Sequence, residues 1–129
     1  MKLPLLHNIK IKDIKREFEK AFPYLKLEFF RKMHDIEKGN SIKDIVSENA
    51  TLIDVTGVMK EGEIKIRPWH TVAEIEQLFQ SKFNLPVQIF RKTRYSWIET
   101  TKTDQLSLEK QNRMGRETCD ATSYKDVLL

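Results

Sequence analysis

Residues 71–92 read TVAEIEQLFQSKFNLPVQIFRK, a stretch that predicts a capped helix turning directly into a strand. Thr71 and Glu74 have capping-box spacing, and Val72, Ile75, Leu78, Phe79 and Phe83 fall on one helical face. Asn84 suits the left-handed residue that closes a helix, and Pro86 blocks its continuation. Val87 and Ile89 then alternate with Gln88 and Phe90, as a half-buried strand requires. A fainter copy, KIKDIKREFEKAFPYLKLEFFRK, occupies 10–32. Phe18 and Phe22 match Phe79 and Phe83 at an offset of 61, and Phe30-Arg31-Lys32 matches Phe90-Arg91-Lys92 at an offset of 60. One residue has been gained or lost between helix and strand, and the chain reads as a duplicated unit.

Working outward, His7 to Ile11 alternates and predicts a short strand, and Ile11, Ile14, Phe18 and Phe22 continue as a helical stripe that Pro23 ends. Leu25, Leu27 and Phe29 form the next strand. Lys38-Gly39-Asn40 is a turn, and Ser41 to Asp44 has capping-box spacing for a short helical turn through Ile45. Ala50 to Val58 is apolar and β-branched, and Glu63 to Arg67 alternates. These two segments predict adjacent strands joined by a loop between Gly57 and Gly62. Tyr95, Trp97 and Ile98 lie in a further strand, and Ser107 to Gln111 forms a last helical turn. From Asn112 onward no period is visible. The expected architecture is α+β, with two tandem β-α-β-β repeats at 1–58 and 59–111, packed together or domain-swapped, followed by a disordered tail at 112–129.

Composition narrows the class without naming a function. The chain has 129 residues, 40% hydrophobic and 33% charged, which fits a globular protein and is too apolar for wholesale disorder. Two halves of this size would each be marginal alone, so they should bury surface against each other or against a partner. Nineteen acidic residues interleave with 23 basic ones to leave a net charge of +4, so no single-sign face stands out. One cysteine, Cys119, excludes an internal disulfide framework and a cysteine-based zinc site, and a reducing cytoplasm is the expected setting. The Leu3-to-Leu6 run is too short for a secretory core and no segment is long enough to span a membrane, so a soluble protein is expected.

Catalytic signatures are missing. His7, His34 and His70 occur in separate settings, and His34 with Asp35 and Glu37 is the one local cluster of titratable groups; its spacing matches a solvated turn better than a metal site. Neither a nucleophile elbow nor a glycine-rich phosphate loop is present, and four glycines supply little of the backbone freedom such loops need. The polar feature that recurs is basic: Arg31-Lys32, Arg67 before Trp69, and Arg91-Lys92 with Arg94, beside Phe90, Tyr95 and Trp97. Basic residues interleaved with aromatics suit phosphates and stacked bases, and they also protect exposed strand edges.

The second copy resembles the back half of ubiquitin-like, β-grasp domains. Glu63 to Arg67 leads to Thr71-Val72, the helix carries Ile75, Phe79 and Phe83, and paired strands close on the acidic-then-leucine turn from Asp104 to Leu108. The pair is also similar to small uncharacterised bacterial proteins built from two such units, and the resemblance covers 9–45 and 63–111. The chain ends Asp126-Val-Leu-Leu129 without a diglycine, so conjugation through the terminus is not expected. The resemblance implies a β-grasp-like binding scaffold. The expected function is therefore non-catalytic: a protein–protein interaction through edge strands and exposed aromatics, with an unknown protein partner or a homodimer, and without cofactor, metal or membrane. Nucleic-acid binding through the duplicated Phe-Arg-Lys edges is the alternative.

Overall fold

The computed structural model describes residues 1–31 and 45–120. It is a mixed α+β protein with two small antiparallel sheets and, among the described residues, four α-helices. In chain order the elements are β1 (Lys2–Leu5), α1 (Ile11–Ala21), β2 (Leu25–Phe29), α2 (Leu52–Thr56), β3 (Gly62–Lys65), α3 (Val72–Phe83), β4 (Val87–Lys92), β5 (Trp97–Glu99) and α4 (Leu108–Asp120). One sheet pairs β1 with β3; the other has the order β2-β4-β5. No described helix is long and apolar enough to cross a membrane.

Each sheet pairs one strand from the first half of the chain with one from the second, and β5 extends the larger sheet. Leu3 lies opposite Ile64, its counterpart 61 residues later, and Glu28 lies opposite Gln88, its counterpart 60 residues later. Both pairings thus bring together residues at the two sequence offsets, 61 and 60. The backbone bonds around the helix starts match as well. Ile11 N–H donates to the Ala50 carbonyl (2.9 Å) and Lys12 N–H to Glu48 (3.0 Å); in the second half Val72 donates to Leu106 (3.2 Å) and Ala73 to Asp104 (2.9 Å). Leu52 and Ile53 donate back to Ile9 and His7 as Leu108 and Glu109 do to His70 and Pro68.

The two helical stripes and the alternate residues of the strands meet in one core. Ile11, Ile14 and Phe18 from α1 join Val72, Ile75, Phe79 and Phe83 from α3, with Leu3, Leu5, Leu25, Leu27, Phe29, Ile64, Val87 and Ile89 from the strands. Phe29 and Phe79 pack edge to face with ring centres 5.7 Å apart. Thr71 and Glu74 form the expected capping box, and Asn84 closes α3 with φ at 52°.

Three expectations need correction. The segment from Ala50 to Val58 is not a strand. The Thr51 hydroxyl accepts from the Asp54 N–H and the Asp54 carboxylate accepts from the Thr51 N–H, so this capping box starts α2, which Gly57 ends at φ 73°. In a helix of one turn, terminal hydrogen bonds outweigh the few tenths of a kcal/mol by which β-branched residues disfavour it. The first strand is Lys2–Leu5 rather than 7–11, where Lys10 makes only an isolated bridge to Thr51. Part of the expected tail, 112–120, belongs to α4, whose buried residues Leu108, Gln111 and Gly115 keep helical spacing. That face is mostly polar or small, so apolar periodicity could not reveal it. The turn at 38–40, the helical turn through 41–44, the His34 and Glu37 cluster, Lys32 and the remainder of the tail lie outside the described residues.

Glu76 fills a gap in the larger sheet. The Ile89 carbonyl accepts from the Thr100 N–H (3.3 Å) and hydroxyl (2.7 Å), while the Ile89 N–H donates to Glu76 Oε2 at 2.9 Å. A side chain of α3 thus receives a bond that a strand carbonyl would otherwise take. Burial pushes the Glu76 carboxyl up to about 7; the Ile89 bond opposes this, and Asp104 and Glu99 add to it. The matching position in the first half is Lys15, whose ammonium bridges Glu28 and Glu48, each at 2.8 Å.

Candidate interaction surface along β3

Among the described residues no strand pairs with the outer edge of β3. Met1 and Ile66 exchange both backbone bonds (2.7 and 2.8 Å), which fixes the alternation along the pair. Leu3 and Leu5 therefore bond to β3, while Glu63 and Lys65 turn their N–H and C=O groups away from β1. Among the described residues β1 is the only strand paired with β3. The opposite edge of this sheet is different, because Pro4 points outward there with no N–H to offer.

A groove of about 570 Å³ runs along that edge, lined by Glu63, Lys65, Arg67, Trp69, His70, Leu78 and Lys82. Ile64 and Ile66 are held in the core, so alternation sends Glu63, Lys65 and Arg67 outward. Pro68 and Trp69 make the turn into α3, which Arg67 and His70 fasten: Arg67 N–H donates to His70 Nδ1 (2.9 Å) and His70 N–H to the Arg67 carbonyl (3.0 Å). That turn leaves Trp69 69% exposed at the end of the groove. Leu78 and Lys82 stand one turn apart on α3 and form its far wall. Lys82 Nζ reaches the Glu63 carbonyl at 3.5 Å, a long bond that a competing strand could replace. Three cations face one carboxylate here, so the groove is electropositive.

The remaining sequence-predicted residues are scattered. Phe90, Lys92 and Trp97 lie on the outward face of the larger sheet, where Lys26 sits opposite Phe90. The Lys26 ammonium lies 5.5 Å from the Phe90 ring centre and 4.9 Å from that of Trp97, so it covers both aromatics. Arg91 faces the other way, under α4, where its guanidinium donates to Gln111 Oε1 (2.6 Å) and approaches Met114 Sδ (3.9 Å). It anchors a helix and does not form a basic edge with Lys92. Arg94 stacks 5.8 Å from the ring of Tyr95, which is 88% exposed in the turn between β4 and β5. Arg31 is exposed just beyond β2. Only Arg67 and Trp69 come together at the β3 edge. Lys65, Leu78 and Lys82 also line this groove, and their sequence signals are no more than the outward register of β3 and the flank of the α3 stripe.

Among the described residues no three His, Cys, Asp or Glu side chains gather where they could hold a metal ion. Compared with known protein families, characterised proteins and solved structures, the chain matches none.

Proposed function

We propose that this chain is a non-catalytic protein-interaction module, built from two β-grasp-like β-α-β halves, that takes up an extended segment along β3. The observation that carries this reading is the groove beside the outward N–H and C=O groups of Glu63 and Lys65, which no strand pairs among the described residues, with Trp69 at one end. Strand addition draws affinity from main-chain bonds and specificity from pockets for alternate side chains. Trp69 and Leu78 offer the apolar contact, and Lys65, Arg67 and Lys82 favour acidic residues in the incoming segment. Exposed tryptophan is the residue type most often found at the energetic centre of protein interfaces.

Selection from a displayed library of random peptides tests this directly. Wild-type protein should enrich extended sequences rich in Asp and Glu with one apolar residue, and Trp69→Ala and Lys82→Glu should lose them while melting normally. A library that yields no Trp69-dependent sequence rejects the reading. The hairpin turn carrying Lys92, Arg94 and the exposed Tyr95 favours a second one, nucleic-acid binding. It predicts retention of single-stranded oligonucleotides at low salt, a steep loss as salt rises and a further loss on Tyr95→Ala.

A further inference from the structure

We infer that the segment this edge accepts is the β3 strand of a second copy of the chain, giving a two-fold dimer with a continuous β1-β3-β3-β1 sheet. This rests on the reading of the β3 edge as a strand acceptor and adds the identity and register of its occupant. The charges along 61–67 select that register. In an antiparallel pairing centred on Ile64, Glu63 of each copy faces Lys65 of the other, and Glu61 faces Arg67. The same register brings Met59, 70% exposed, beside the turn carrying the other copy's Trp69, 69% exposed. Centring the pair on Glu63 would set Glu63 against Glu63, and centring it on Lys65 would set lysine against lysine. Directly opposed like charges on neighbouring strands are destabilising, so both shifted registers are disfavoured.

The bonding pattern agrees with that choice. Glu63 and Lys65 already turn their backbone groups outward, so a partner strand in the Ile64-centred register meets the same two residues with donors opposite acceptors. The chain uses this arrangement internally, since β1 pairs with β3, and β2 with β4, about matching residues. His7, just beyond β1, donates its N–H to Glu61 Oε2 at 3.0 Å and holds the same oxygen through Nδ1 at 2.5 Å, so Oε1 is the oxygen that Arg67 of the other copy would meet. Among the described residues the long Lys82 bond to the Glu63 carbonyl must give way. The outer edges of β1 and β5 are less suited: Pro4 interrupts that of β1, and β5 is three residues long.

Sedimentation equilibrium of the full chain over a wide concentration range tests the inference. Wild-type protein should dimerise. Lys65→Glu and Glu63→Lys should each weaken the dimer about tenfold or more, since each turns two attractive cross-strand pairs repulsive. The combined swap, Glu63→Lys with Lys65→Glu, should restore wild-type association. All three changes fall at exposed positions, and unchanged thermal melting would show that the fold is kept. A chain that stays monomeric throughout, or a dimer indifferent to the single reversals, overturns the inference. Trp69-dependent capture of library peptides by such a protein would leave the proposed function standing.

Discussion

Replacing Glu76 by glutamine should make the protein more stable at pH 8 and leave it nearly unchanged below pH 4.5. In the unfolded chain this carboxyl titrates near 4.5; in the fold, burial lifts it to about 7. Between those values the native state holds a proton that the unfolded state has released, so wild-type stability falls as pH rises from 4.5 to 7 and then levels off. At 1.36 kcal/mol per pKa unit the full displacement corresponds to roughly 3 kcal/mol, and partial solvent access brings the expected effect to about 1–2 kcal/mol. Glutamine carries no charge to bury, and its amide oxygen can still accept the Ile89 N–H bond now made at 2.9 Å. Urea denaturation of both proteins at several pH values measures the difference. The stability curves should converge below pH 4.5 and separate in favour of Glu76→Gln above pH 7. Parallel curves, or a variant less stable at pH 8, would refute the account of Glu76 as a desolvated carboxylate bridging α3 to β4.

Three further substitutions probe the packing and the edge. Phe79→Ala empties a fully buried site against Phe29 and should cost about 3–5 kcal/mol in denaturant unfolding. Gly115→Ala would place a Cβ 2.8 Å from Tyr24 Cβ and 3.3 Å from the Lys92 carbonyl, so α4 must lift. About 1–3 kcal/mol should be lost, with hydrogen exchange rising first along α4. Trp69→Ala should change unfolding free energy by less than about 0.5 kcal/mol, because the ring is mostly in solvent, while peptide capture and dimerisation both weaken.

The elements with strong local chemistry were legible from residues alone. The capping box of α3, its apolar stripe, the left-handed Asn84 and the alternation of β2 and β4 all follow from spacing, because each rests on neighbours within a few residues. Elements whose bonds come from elsewhere were hidden. α2 is set by one capping box within a β-branched run, and α4 docks through Gln111, Gly115 and the Arg91 guanidinium, none of which carries an apolar signal. Of the candidate surface, the sequence offered Arg67 and Trp69, and it grouped Arg91 with Lys92 although the strand sends them to opposite faces.

The sequence by itself determined an α+β chain, the helix stripes and strand alternation of its best-formed elements, and the residues that fill the core, since burial of an amphipathic face is written in its period. Only the tertiary structure decided which strands pair across the two halves. That choice depends on long-range hydrogen bonds between segments about 60 residues apart, which leave no local trace in composition or spacing. It also decided that β3, with Pro4 on the far side of its sheet and Trp69 at its end, pairs among the described residues with β1 alone.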